Sequence, residues 1–182
     1  MDIGQDEIIR FWFEEITPRQ WWARNADFDR IVATRFGALH GAATRCELYT
    51  WREKPVGRLA EVIVLDQFSR NIYRDDPRSY AFDSIALCLA QEAIRAGADQ
   101  ALPAAQRAFL YMPFMHSESA PIHARALELF AAPGLEASLV SERKHMTIID
   151  RFGRYPHRNP ILGRISTPDE IAFLARNETS SS

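Results

Sequence analysis

The chain has 182 residues, 47% of them hydrophobic and 25% charged, the size and balance of one globular domain whose core needs neither disulfides nor a structural metal. Lys and Arg number 22 against 24 Asp and Glu, a net charge of −2, which excludes a general polyanion binder and gives no reason to expect a nucleic-acid partner. Twenty of the 22 basic residues are Arg, Lys occurring only at Lys54 and Lys144. Planar guanidinium forks suit fixed ion pairs or bound carboxylate and phosphate, although GC-rich coding gives the same bias.

The N-terminal stretch MDIGQDEIIRFWFEE carries acids and no basic leader, so it does not read as a signal peptide. Helical spacing predicts helices near 5–15, 18–23, 27–48, 56–73, 78–96, 104–112, 121–131, 137–153 and 168–176. Proline supplies most of the punctuation. Thr17-Pro18-Arg19-Gln20 and Thr167-Pro168-Asp169-Glu170 both have the form of capping boxes, with Pro at the first helical position. Pro55, Pro77, Pro103 and Pro121 each precede a helical run, and Gly97 follows one as a C-terminal signal. The 25 alanines and the absence of period-2 alternation favour helix throughout. The expectation is therefore an all-α, antiparallel array of about nine helices in a single domain spanning 1–182, with a polar tail from about 177. The most apolar run, 109–115, is seven residues and contains Pro113, too short to cross a bilayer. Cys46 and Cys88 both fall in helical stretches without metal-ligand spacing, which points to a reduced, cytoplasmic chain.

Four polar features stand out against this background. On the helix at 56–73, Asp66 and Arg70 fall in the middle of an apolar arc, four residues apart with the acid first. Either they form a structural pair locking two helices together, or one of them faces a pocket; buried and unpaired they would cost several kcal/mol. The segment RFGRYPHRNPILGR at 151–164 holds Arg151, Arg154, Arg158, Arg164 and His157 with no acid. Its Gly and Pro residues make it mostly a loop, suited either to cradle an anion or to cap helix carbonyls and pair with scattered carboxylates. Pro113 is expected to stop its helix, placing His116 and Glu118 on a loop or at a helix start. There they form a candidate acid–base pair, or Glu118 serves a helix N-terminus capped by Ser117 or Ser119. His145 lies on the apolar side of its helix, where a hydrogen-bonded core role competes with a ligand role. His40 and His123 have no distinctive setting.

No metal-ligand spacing, nucleotide loop or nucleophile elbow is written in the chain, so no metal or cofactor is expected. The early aromatics Phe11-Trp12-Phe13 and Trp21-Trp22 read as packing residues.

Several strings carry a family resemblance. IIRFWF at 8–13, QWW at 20–22, LAEVIVLDQFSRNIYR at 59–74, FLYMPFMHSE at 109–118, and the segment from His145 to Arg164 with FGRYPHRN inside it together resemble the bacterial domain-of-unknown-function 924 family over about residues 6–175. The resemblance implies a helical array similar to tetratricopeptide-like right-handed superhelices, and no particular reaction. Tyr155 departs from the Phe expected there and keeps the ring.

The resulting expectation is a pocket for a small phosphate or carboxylate ligand, serving binding, hydrolysis or group transfer. It would be lined by Arg70, Arg151, Arg154, His157, Arg158, Asn159 and Arg164, with His116, Glu118, His145 and Asp66 as acid–base candidates. The alternative is an interaction module whose arginines line an open groove for an acidic peptide.

Overall fold

The computed structural model describes residues 3–179, and these contain helices and turns with no strand. Eight helical segments stand among them. α1 comprises Gln5–Arg10 and continues into a π turn at Phe11–Glu15. α2 is Ala26–Thr44. α3 runs from Pro55–Ile63 through a π turn at Val64–Phe68 into Ser69–Ile72. α4 is Asp83–Arg95, α5 Ala104–Met115, α6 Ala120–Phe130, α7 Glu136–Phe152 and α8 Pro168–Thr179.

The two capping boxes behave differently. At Thr167 the box closes in both directions: Thr167 N–H donates to Glu170 Oε2 (2.7 Å) and Glu170 N–H to Thr167 Oγ1 (3.3 Å), and α8 follows. At Thr17 only the Gln20 side chain closes, onto the Thr17 N–H (2.9 Å). The predicted helix at 18–23 is one turn, because Trp21 leaves it to donate its indole N–H to the Trp12 carbonyl (2.8 Å) and to pack on Phe109 (4.9 Å between ring centres). Three further boundaries differ. The run at 27–48 ends at Thr44, so Cys46, at φ 58, lies in a turn rather than a helix. The run at 78–96 begins as a 3₁₀ turn, and α4 starts at Asp83. Pro113 does not stop its helix: α5 continues to Met115. One missing donor near a C-terminus costs little when the preceding turns are packed, and residues 109–115 are all buried.

α3 is the centre of the fold, packed against α1, α2, α4 and α5. Leu59, Ala60, Val62, Ile63, Val64, Leu65 and Phe68 have no exposed surface. Its N-terminal turn sits so close to the preceding 3₁₀ turn that a Cβ on Gly57 would fall 2.0 Å from the Trp51 carbonyl oxygen. A helix buried on every side cannot leave its polar side chains in water, so each must find a partner elsewhere. Glu61 takes a two-pronged bond from Arg52 (2.7 Å each). Asn71 donates to Asp29 on α2 (2.8 Å). Ser69 donates to the Leu65 carbonyl and accepts from His40 Nε2 on α2 (2.8 Å). Asp66 reaches the C-terminal end of α5.

His40 is therefore not an ordinary surface histidine. It is 1% exposed, its Nδ1 has no partner, and burial pushes its imidazole down to about 4 from 6.5. The unfolded chain takes up that proton first as pH falls, so this contribution to stability is complete above about pH 6.5 and drains away toward pH 4, on the order of 3 kcal/mol in all. Urea midpoints measured from pH 7.5 to 4.5 should fall more steeply in the parent than in His40→Leu, which has no proton to gain. Equal slopes would remove His40 as the cause.

Candidate functional site

The π turn in α3 carries Asp66, which is completely buried. His116 caps the C-terminus of α5, and its Nδ1–H donates to Asp66 Oδ1 at 2.7 Å. Gln67 Nε2 donates to the other carboxylate oxygen (2.5 Å), and Arg70 Nη1 lies 3.2 Å from Oδ1 while donating to the Asp66 carbonyl (2.5 Å). Burial alone would raise the Asp66 carboxyl; the charges of Arg70 and His116 outweigh it and hold the group at about 2. An ionised Asp66 accepts the Nδ1–H, so in the neutral imidazole of His116 the lone pair falls on Nε2. That nitrogen makes no hydrogen bond among the described residues, and His116 lines a cleft of about 360 Å³.

Asp83, at the start of α4, ties two arginines together. Arg70 Nη2 donates to Asp83 Oδ2 at 3.0 Å, and Arg158 Nη1 lies 3.3 Å from the same oxygen. Arg158 Nη2 donates to the His116 carbonyl (2.9 Å), and its guanidinium lies between the rings of Tyr80 and Tyr155, 4.6 Å from each centre. Arg158 is 7% exposed, its Nε–H is buried without a partner, and burial lowers its affinity for its proton below the ordinary arginine value.

His145 closes another wall. Its Nδ1–H donates to the Ser141 carbonyl (2.8 Å), which again leaves Nε2 as the free nitrogen. Burial keeps this imidazole below its ordinary value despite that bond, and its ring meets Tyr155 edge-on at 5.7 Å. His157 stands on the exposed rim beside Tyr155.

The cleft thus unites Arg70, His116, His145, His157 and Arg158, with Asp66 directly behind. The remaining sequence candidates lie outside it. Glu118 is not the carboxylate partner of His116. It takes both prongs of Arg164 (2.6 and 2.9 Å) and the Tyr155 N–H (2.7 Å). Burial would raise Glu118, but Arg164 and the Tyr155 amide hold it below its ordinary value. The expected Ser119 cap makes no side-chain bond. Arg154 is paired with Glu170, Arg151 with Asp169, and Asn159 is buried between Arg164 and Ser166. These groups fasten the loop after α7, which leaves its helix through Gly153 at φ 67. The Tyr155 hydroxyl adds a bond to the Met115 carbonyl at 2.5 Å, so its difference from Phe has a structural use. Arg24, Arg74, Asp75, Ser79 and Tyr80 also line the cleft. None carries a local sequence signal, since they come together only when the turn before α2, the end of α3 and the turn after it meet the loop.

These observations define an all-α domain with a buried carboxylate–imidazole–arginine cluster at the base of a cleft. The chain belongs to the family described as bacterial protein of unknown function (DUF924), whose profile matches residues 8–178. It is similar to a solved structure of a protein of unknown function from Agrobacterium tumefaciens, with 40% identity, a TM-score of 0.89 and coverage of 93% of this chain and 96% of that one. No curated protein matches it. No described helix is long and apolar enough to cross a membrane.

Proposed function

We infer that the cleft binds a small anionic ligand and that His116 acts on it as a general base. One observation carries this reading: an imidazole whose Nδ1–H is fixed by a buried carboxylate, and whose Nε2 has no partner among the described residues, lines a cleft beside Arg158. In a hydrolytic reaction Nε2 takes a proton from water as the water oxygen bonds to the acyl or phosphoryl centre. Arg158 faces the oxygen on which negative charge develops, and the proton passes to the leaving oxygen as its bond breaks. Arg70, its fork turned to Asp66 and Asp83, holds the cluster together and lines the cleft beside Arg158. The acidic-peptide reading draws less support, because Arg151, Arg154 and Arg164 are engaged with Asp169, Glu170 and Glu118.

The test pairs binding with turnover. A thermal-shift screen against carboxylates and phosphate esters should give hits, and a ligand at about 100 times its Kd adds roughly 2.7 kcal/mol. Arg158→Ala should lose that shift relative to its own unliganded midpoint. Hydrolysis of any hit that is an ester should fall about 10²–10⁴-fold in His116→Gln. Retained shifts in Arg158→Ala, or turnover unchanged in His116→Gln, would overturn the respective halves of the proposal.

A further inference from the structure

His116 and His145 border a second cavity on the side away from the arginines. It measures about 530 Å³ and is walled by Trp22, Met112, Met115 and the first turns of α7 at Ala137, Ser138 and Ser141. The positions explain the shape. Met112 and His116 are four residues apart at the end of α5, and Ala137, Ser141 and His145 repeat at four-residue spacing on α7, so each helix turns one face to the space. Trp22 overhangs it: the indole is 62% exposed and stacks on Phe109 with the ring planes 12° apart. The two methionines supply soft, adaptable walls. One side of the two imidazoles is therefore lined by arginines and the other is mostly apolar, and both imidazoles line both cavities.

We propose that the ligand is an amphipathic organic anion, its carboxylate or phosphate head in the arginine cleft and an acyl chain or aromatic ring in the Trp22–Met112–Met115 cavity. The bond joining head to body then passes His116 Nε2. The proposal rests on the anion-site reading of the cleft and adds the class of ligand. The two cavities lie within the size range of small-molecule sites, and burial of a chain in the second is the source of affinity that a head group alone lacks.

A series of straight-chain carboxylates from acetate to octanoate tests it, titrated by NMR shifts for the short members and by calorimetry for the long ones. Each methylene placed in the cavity should raise affinity about fourfold until the space is full. Tryptophan emission should change with octanoate and not with acetate, and Trp22→Phe should abolish that change. Ser138→Asp puts a charge in the apolar cavity while changing no arginine of the cleft. An acid in the first turn of a helix suits the fold. It should abolish the gain with chain length, so that within this variant octanoate binds no more tightly than acetate. If acetate and inorganic phosphate bind but chain length has no effect, the amphipathic ligand is refuted and the anion cleft stands. If no member of the series and no phosphate binds, the cleft reading itself fails. Equal binding of octanamide and octanoate would detach the apolar cavity from the arginines and overturn the proposal.

Discussion

Asp66→Ala should lose about 3–5 kcal/mol of folding stability, the range expected when one partner of a buried charge cluster is removed. The carboxylate has no exposed surface, accepts from His116 and Gln67, and forms an ion pair with Arg70. Arg70 keeps Asp83, so its guanidinium is not left alone; His116 Nδ1 and Gln67 Nε2 lose their acceptor outright. Asp66→Asn separates charge from shape. Its side-chain oxygen can still receive the His116 Nδ1–H, so the loss should be smaller than for Ala, while the imidazole facing the cleft no longer has an anion behind it. Urea unfolding at pH 7 gives the stability difference. A loss below about 0.5 kcal/mol in the Ala variant would mean that the carboxylate behaves as a surface group. Asn should fold well enough to assay, and a lower ligand turnover at near-parental ligand affinity would mark Asp66 as a residue that positions His116.

What the sequence disclosed about this cluster follows from distance along the chain. Asp66 and Arg70 lie on one helix, and their spacing and apolar setting predict a buried pair; the structure has them 3.2 Å apart. The structural and the pocket readings of that pair both describe it, since Asp66 is sealed and Arg70 lines the cleft. The partner of Asp66 across the core, His116, is 50 residues away, and Asp83 is 75 residues from Arg158. Neither separation leaves a periodic signal. The adjacent Glu118 was the nearer acid to His116 in sequence, yet Arg164 and the Tyr155 amide claim it. The four arginines of 151–164 were legible as groups that need partners. Which of them would be used up by carboxylates depends on where α8 places Asp169 and Glu170 and where the α5–α6 turn places Glu118. The helices themselves were easier to read, because burial of one face imposes its period locally. The exception at 18–23 arose where tryptophans on a short segment gained more by packing on Phe109 than by continuing a helix.

The most enclosed ion pair among the described residues leaves no local signal in the sequence. His123 on α6 and Glu142 on α7 both have no exposed surface, and their Nδ1–Oε1 distance is 2.6 Å. His123 Nε2 faces the Ser117 carbonyl at 2.8 Å and the Tyr155 hydroxyl at 3.3 Å. Tyr155 gives its proton to the Met115 carbonyl, so the Nε2 site calls for a donor. With a carbonyl on one nitrogen and a carboxyl on the other, one proton must lie between His123 and Glu142 and another on Nε2. Removing either partner strands that arrangement. Glu142→Ala should therefore cost about 3–5 kcal/mol, with Glu142→Gln costing less because an amide oxygen still accepts from Nδ1. His123→Leu combined with Glu142→Met replaces the pair by apolar side chains, and it should be less damaging than the sum of the two single changes by at least about 1 kcal/mol. Strict additivity in urea unfolding would mean that the two groups are not coupled. The consequence for the cleft is direct: the pair holds α6 to α7 beneath Tyr155, and Tyr155 is the ring against which both Arg158 and His145 rest. Glu142→Gln should thus weaken anion binding more than its modest stability loss alone would suggest, and unchanged binding in a folded Glu142→Gln protein would show that Tyr155 keeps its place without the pair.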